Sequence, residues 1–346
     1  MSDHEEQDPL EPSAEQVWVL DDPRAGTAAQ AIGIAERLGV PFRRIPLTWN
    51  WMAHVAGLAR RGSLLGLAVP SRTGMTRATA AGPLLLADES GPALVISAGS
   101  RSAAVALWLK QRHGSRIVHC MRPGVGGILR YPQFDLLVIS QHDNPPLAPN
   151  ILPVLGAPHR VSPLMLRQAA AAWRERLAHL PHPRVALLVG GPVRGTDMVP
   201  ALAHRLGTAV ARLTAERGGS VLATTSRRTG AEATDALAAG LARTMHVLYR
   251  WGEPGENPYQ GFLASADVIV ATADSVSMIS EACATTAPVF VALPELAGAA
   301  HRRLIATLHR AGHIRPLGDD LSPWPRPCLD EADRIAAEIW RRFPLE

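Results

Sequence analysis

The sequence predicts an α/β protein built as two Rossmann-like, doubly wound parallel-sheet domains that face a cleft. Short apolar runs such as "VWVL" (17–20), "VALLVGG" (185–191) and "DVIVATA" (267–273) alternate with stretches of helical periodicity. That pattern belongs to parallel strands buried on both faces by crossover helices. The alternation runs through twice, with the proline-bracketed "PHPR" (181–184) between the two passes, the mark of a domain boundary. The chain's 346 residues exceed what one core usually organises, so two domains of roughly 150 residues each are expected.

Each element follows in order. After the "VWVL" strand, "TAAQAIGIAERLG" (27–39) places Ala28, Ala31, Ile32, Ala35 and Leu38 on one helical face, with Thr27 as candidate N-cap and Gly39 as the stop. "FRRIPL" (42–47) reads as a strand and "WNWMAHVAGLARRG" (49–62) as a helix, whereas 62–91, rich in Gly, Pro and Ala, shows no clear period. "PALVISAG" (92–99), "RIVHCM" (116–121) and "FDLLVIS" (134–140) are strands, the first two separated by the helix "RSAAVALWLKQRHG" (101–114). "APNILPVLGAPHRV" (148–161) carries no assigned element, and Ser162-Pro163 opens a long helix that ends at "PHPR".

The second pass gives strands at "VALLVGG", "SVLATTS" (220–226), "HVLYRW" (246–251), "DVIVATA" and "APVFVAL" (287–293), joined by helices; helices at 299–312 and 329–343 close the chain. The expected organisation is an acidic disordered tail (1–15), an N-terminal domain (16–165), a linker helix and boundary (166–183), a C-terminal nucleotide-binding domain (184–328) and a closing segment (329–346).

Composition narrows the chemistry. With 47% hydrophobic and 19% charged residues, the chain can fill two cores. Lys110 is its only lysine, so neither a Walker-type phosphate loop nor a Schiff-base enzyme is expected unless Lys110 serves. The other basic residues are arginines, suited to bidentate capture of phosphate or carboxylate; a compositional bias toward arginine is the plain alternative. Cys120, Cys283 and Cys328 lie far apart, outside metal or redox spacings, and read as buried reduced thiols. No apolar run approaches a membrane span, and the N-terminus lacks a signal pattern, so a cytoplasmic location is expected. Aromatic content of 5% and the absence of a basic run with interleaved aromatics argue against nucleic acid.

In open α/β sheets, ligands sit beyond the carboxyl ends of the strands, and five post-strand loops there carry polar groups. "LDDPRAG" (20–26) offers Asp21, Arg24 and Gly26, with Gln30 following on the helix; a capped turn is the alternative. "ISAGSRS" (96–102) sets Gly99 and Arg101 among Ser97, Ser100 and Ser102, which suit an anion or serve as plain caps. "ISQHDNPP" (139–146) pairs His142 with Asp143, a base and a carboxylate, or an ordinary surface loop.

In the second pass, "TTSRRTG" (224–230) places Ser226, Arg227 and Arg228 ahead of a helix, an anion site or a solvated arginine pair, while Gly190 and Gly191 close the first strand of that pass. "ADSVSMISEA" (273–282) brings Asp274, Ser275, Ser277 and Met278 to a helix start, where free amides favour phosphate. Glu281, further along, can accept hydrogen bonds from vicinal hydroxyls such as those of ribose; a capped helix with a surface glutamate is the alternative.

Seven blocks in order, "VWVLDD…GTAAQAIGIAERLG", "LVISAG", "FDLLVISQHD", "PNILPVLGAPHRV", "TTSRRT", "WGEPGENPY" and "ADVIVATADSVSMISEACATTAPVFV", resemble the mitochondrial fission family named after the elongated-mitochondria plant protein, which includes bacterial members. The resemblance spans nearly all of 17–345. It implies a fold similar to the GT-B glycosyltransferases, with the segment matching "DSVSMISEA" holding a nucleotide-sugar diphosphate, Glu281 the ribose, and the closing helix packing back on the N-terminal domain. Three departures stand out: Ser100 before Arg101 where the family has two arginines, Gln141 where an acid often precedes His-Asp, and Thr286 for a usual glycine. The first two weaken a catalytic role for the N-terminal half.

The function expected is therefore sugar transfer from a nucleoside-diphosphate sugar, with no metal and no further cofactor. Arg227, Arg228, Ser275 and Ser277 would neutralise the leaving diphosphate, and His142 or Asp143 would deprotonate an acceptor. An epimerase on the same fold is one alternative. The other is a non-catalytic adaptor or membrane-associated factor, whose arginine-rich surface meets acidic partners or lipid head groups at the inner membrane face. A membrane-surface or lipid acceptor fits either the transferase or this last reading.

Overall fold

The computed structural model describes residues 16–54, 62–80, 91–124, 131–191 and 198–344. The acidic stretch 1–15 and part of the helix expected at 49–62 lie outside these residues; within them, 51–54 form a single 3-10 turn.

The described chain divides into two units. The first runs to Val154 and adds Pro158–Arg160 and the segment from Glu331; the second holds Leu155–Ala157 and Val161–Asp330.

In the first unit the strands β1 (Val17–Asp21), β2 (Arg43–Pro46), β3 (Leu94–Ala98), β4 (Arg116–Cys120), β5 (Leu136–Ser140) and β6 (Ile151–Val154) form one parallel sheet in the order β2-β1-β3-β4-β5-β6. Helix α1 (Ala25–Leu38) packs Ala28, Ala31, Ile32 and Ala35 on Val17, Val19, Leu94 and Ile96. Helices α2 (Val69–Ala80) and α3 (Ser102–His113) follow β2 and β3 in the chain. Each fully buried Val, Leu or Ile stabilises such a core by about 1.5–3 kcal/mol.

α1 begins two residues before Thr27, at Ala25, and no side chain caps it; Thr27 is helical, so its role as N-cap is corrected. Gly39 ends the helix in the left-handed region at φ 72°, where only glycine is unstrained. β6 has no counterpart in the sequence expectations because "ILPV" contains Pro153, a residue tolerated at a sheet edge.

In the second unit the helix α4 (Pro163–Leu177) is capped as expected, with the Met165 amide on Ser162 Oγ at 2.9 Å. It precedes β7 (Arg184–Val189), α5 (Pro200–Ala215), β8 (Ser220–Thr225), α6 (Ala231–Leu241), β9 (His246–Tyr249) and α7 (Tyr259–Ser265). β10 (Val268–Thr272), α8 (Val276–Cys283), β11 (Val289–Ala292), α9 (Ala299–Arg310) and β12 (Arg315–Pro316) complete it. The parallel sheet runs β12-β11-β10-β7-β8-β9, the Rossmann order. Along β7, Val185, Leu187 and Val189 face α5 and α6, while Ala186 and Leu188 face α8 and α9. Both faces are covered, which is why these strands read as unbroken apolar runs.

α4 and the "PHPR" tetrapeptide belong to this second unit. Ser220 Oγ donates to the Pro181 carbonyl at 2.7 Å, Asp267 Oδ2 accepts the Arg184 amide at 2.7 Å, and His182 Nδ1 lies 2.6 Å from the same oxygen. These bonds fasten 181–184 to the starts of β8 and β10, and the chain changes units instead between Val154 and Val161.

The last helix, α10 (Glu331–Arg342), packs in the first unit. Ala332, Ile335, Ala336 and Ile339 form an i, i+3, i+4, i+7 stripe on α1, and Trp340 Nε1 donates to the Leu38 carbonyl at 3.2 Å. Cys120 and Cys283 are buried, and burial pushes both thiols up to about 12; Cys328 is exposed, correcting the expectation that all three are buried.

Candidate functional site

Strand order reverses once in each unit, between β1 and β3 and between β7 and β10. Loops diverge at such a point and leave a crevice at the carboxyl ends.

In the first unit the acid at the reversal is Asp22, 2% exposed. Its Oδ1 accepts the Arg24 amide and Nε, both at 2.9 Å, and lies 3.6 Å from Arg101 Nη2; its Oδ2 takes Trp49 Nε1 at 3.1 Å. Arg101 lies over the Trp49 ring at 5.3 Å, burial and Arg24 lower its pKa, and its Nε is buried without a hydrogen-bond partner among the described residues. Gly99 has φ 85°, and a Cβ there would meet Thr27 Cγ2 at 2.9 Å and Arg24 Nη2 at 3.1 Å. The crevice therefore needs glycine at 99 and gathers two guanidiniums on one buried carboxylate.

The other expected residues of this unit are arranged differently. Asp21 pairs with Arg44 at 2.6 Å on the β2 side. Gly26 lies inside the first turn of α1, and Gln30 Nε2 reaches Met121 Sδ at 3.7 Å. Ser97 Oγ bonds the buried His119 Nδ1 at 2.8 Å, and Ser102 Oγ donates back to the Ala98 carbonyl at 2.6 Å, so both hydroxyls face inward. Burial holds His119 down at about 3. His142 and Asp143 occupy a 3-10 turn after β5, two strands from the reversal, with Nε2 and Oδ1 3.9 Å apart.

In the second unit, the register that pairs Ala271 with Leu188 brings the ends of β7 and β10 level. Gly190 donates to Thr272 Oγ1 at 2.9 Å, and Gly191 donates to Asp274 Oδ2 at 2.8 Å. Asp274 is 1% exposed; Arg228 Nη2 approaches its Oδ2 at 3.4 Å, and its Oδ1 has no hydrogen-bond partner among the described residues. A Cβ on Gly190 would lie 2.2 Å from that Oδ2. "TTSRRTG" is locked from beneath by Thr229, which is fully buried: its Oγ1 donates to the Gly190 carbonyl at 2.5 Å and accepts the Ser226 amide at 3.0 Å. Arg227 is left exposed.

At the α8 start, Ser275 is the N-cap, its Oγ accepting the Met278 amide at 3.4 Å and lying 3.5 Å from Ser277 Oγ. Glu281 accepts a hydrogen bond from the Tyr259 hydroxyl. Burial raises the Glu281 carboxyl to about 7 against that bond, and burial with the neighbouring Glu281 raises the Tyr259 hydroxyl well above its ordinary value. A pocket of about 280 Å3 opens at the ends of β8 and β9, lined by Thr225, Ser226, Arg227, Gly230, Arg250 and Trp251. Trp251 is 55% exposed, and its amide is anchored on Thr225 Oγ1 at 3.0 Å.

Several residues, among them Trp49, Arg250 and Trp251, carried no expectation as site residues. Asp22 and Thr229 lie within the quoted loops, but a sequence does not say which side chain turns inward. Tyr259 is 22 residues from Glu281, and only the fold joins them. His301 on α9 is a further case, its pKa lowered by burial while Asp274 opposes the shift.

Comparison with known proteins agrees with this architecture. The UDP-GlcNAc 2-epimerase of Methanocaldococcus jannaschii superposes with a TM-score of 0.53 over 94% of this chain and 99% of that one, at 13% identity. A UDP-glucosyltransferase from Polygonum tinctorium capable of glucosylating indoxyl gives 0.54 over 96% and 90%, at 10% identity. At such identities the likeness is one of fold, and it defines a protein of GT-B type with Rossmann-like units. Within that class the family is specific: the model described as Mitochondrial fission ELM1 matches residues 25–343, and the chain belongs to that family. The Arabidopsis thaliana Mitochondrial fission protein ELM1 is 28% identical over 288 residues, which cover 74% of this chain and 65% of that protein's length.

Proposed function

We propose that the second unit binds a nucleoside diphosphate along the carboxyl ends of its strands, from the β7–β10 crevice to the ends of β8 and β9, and that the protein is a glycosyltransferase using a nucleoside-diphosphate sugar. The observation that carries this reading is the 280 Å3 pocket in which Arg227 and Arg250 stand beside the exposed Trp251. Guanidiniums suit a diphosphate and an indole face suits a base. The amides at the α8 start add favourable partial charge for a phosphate, and Glu281, bonded by Tyr259, would accept ribose hydroxyls. Proteins of the same fold named as a UDP-GlcNAc 2-epimerase and a UDP-glucosyltransferase support the nucleotide part.

In the transfer itself, Arg227, Arg228, Ser275 and Ser277 would stabilise the leaving diphosphate, worth several kcal/mol for pre-set donors. Arg24 and Arg101, gathered by Asp22, would meet an anionic group of the acceptor, with a lipid at a membrane surface as the acceptor class. Among the described residues, no helix is long and apolar enough to cross a membrane. His142 or Asp143 would act as base, with Nε2 and Oδ1 3.9 Å apart.

Calorimetric titration with UDP, ADP, GDP and TDP tests the binding step. At least one should bind saturably, and Arg227→Ala should weaken it about 10- to 100-fold, the loss of one charge-assisted hydrogen bond. No saturable binding by any of the four contradicts the reading. His142→Ala with undiminished transfer would remove the proposed base.

A further inference from the structure

A second cavity of about 550 Å3 lies in the second unit, where α5 and α9 flank the short β11–β12 edge. Its wall is almost wholly apolar: Leu206 and Ala209 come from α5, Ile305 and Ala306 from α9, and Ile314 and Leu317 from the β12 strand and its flanks. The space has a simple origin. β12 is only two residues long, so the sheet stops short, and alanines at 209 and 306 leave the gap between the helices unfilled.

The pocket is open to solvent, with Arg302, Ala306 and His309 exposed, so it presents an apolar wall to water, and a concave, mostly apolar cleft of a few hundred Å3 is the form that small-molecule sites take. The lining also carries strain. Leu293 has φ 54° and ψ 59°, a left-handed conformation costly for a residue with a branched side chain, of the kind held at ligand clamps.

Polar groups are confined to Arg205, Arg302, His309 and Glu295. Arg205 pairs with Glu295 at 2.8 Å, Arg302 holds the Ala297 carbonyl through Nη1 at 2.6 Å, and His309 Nδ1 is taken by the Ile314 carbonyl at 3.0 Å. Two guanidiniums against one carboxylate leave net positive charge beside an apolar interior. That combination excludes a nucleotide, whose ribose and phosphates would lie against aliphatic carbon, and it disfavours a cationic amphiphile.

We propose that this cavity binds a single-chain anionic amphiphile of the fatty-acid class, with the alkyl chain between α5 and α9 and the carboxylate at Arg302. The site is separate from the diphosphate crevice and does not depend on the nucleotide reading.

Titration of the full chain with dodecanoate and dodecyltrimethylammonium below their critical micelle concentrations, and with dodecanol below its solubility limit, tests this. Dodecanoate should bind saturably at one per chain, with dodecanol about tenfold weaker and the ammonium weaker still. Ala306→Trp, at an exposed helix position, should fill the cavity and weaken dodecanoate by at least about tenfold while the far-UV spectrum is unchanged. Arg302→Ser should bring dodecanoate down to the affinity of dodecanol. The proposal is overturned if dodecanoate shows no saturable binding, if Ala306→Trp binds it as tightly as the wild type, or if all three probes bind alike. UDP titration of the same variants is a separate readout, and either outcome there leaves this one standing.

Discussion

The backbone amide of Gly191 donates to Oδ2 of Asp274 at 2.8 Å, joining the turn after β7 to the turn after β10. With Arg228 Nη2 3.4 Å from the same oxygen, one buried carboxylate organises all three loops at the crevice. Asp274 thus acts as an internal tie for these three loops, while Arg227 remains exposed.

This tie predicts a specific coupling. Asp274→Ala leaves the Gly191 amide and Arg228 without their acceptor and should cost about 1–3 kcal/mol in urea denaturation. Gly190→Ala, whose Cβ would stand 2.2 Å from Asp274 Oδ2, should cost about 1–3 kcal/mol alone. Combined with Asp274→Ala it should cost less than about 1 kcal/mol, because the clashing atom is gone. Strict additivity would show that the clash is relieved elsewhere.

Glu281 predicts a pH slope. Its carboxyl is raised by burial from 4.5 to about 7, so the folded protein binds the proton more tightly than the unfolded chain does. The stability from protonated Glu281 is fully present below about pH 4.5 and is lost as pH rises to about 7. Glu281→Gln cannot ionise. Relative to wild type it should be unchanged near pH 4 and more stable by up to about 3 kcal/mol at pH 8; melting curves of the two proteins that run parallel across this range would contradict the assignment.

Arg326 predicts a case where lysine does not substitute. Its Nε donates to the Ala287 carbonyl at 3.0 Å, Nη1 to Cys283 at 3.0 Å and Nη2 to Thr285 at 2.8 Å, closing the carbonyls between α8 and β11. Arg326→Lys keeps the charge but loses the planar fork, and should cost about 2 kcal/mol, close to the cost of Arg326→Ala. Thermal denaturation of the two variants is the check, with full rescue by lysine as the contrary result.

Much of this was legible in the sequence, for physical reasons that can be named. Strands such as 185–189 and 268–272 are covered on both faces, so their unbroken apolar runs identify them. The serine of Ser162-Pro163 and Gly39 announce a helix start and a helix end through local backbone requirements. The post-strand loops were locatable because strand ends in such sheets carry the ligands. What stayed hidden depends on contacts between distant residues. "DD" at 21–22 does not reveal that Asp22 turns inward while Asp21 faces Arg44. "PHPR" looks like a linker until Ser220 and Asp267 are seen to hold it. Nor does Glu281 reveal that Tyr259 will bond it.

Hydrogen–deuterium exchange with and without saturating UDP tests the central claim most directly, because it reads where the nucleotide sits rather than whether it binds. Binding across the carboxyl ends of β8, β9 and β10 predicts slowed exchange at amides 226–231, 250–252 and 275–281, with the first unit's sheet unchanged. Protection confined to the first unit, or to the α5–α9 cavity, would contradict it.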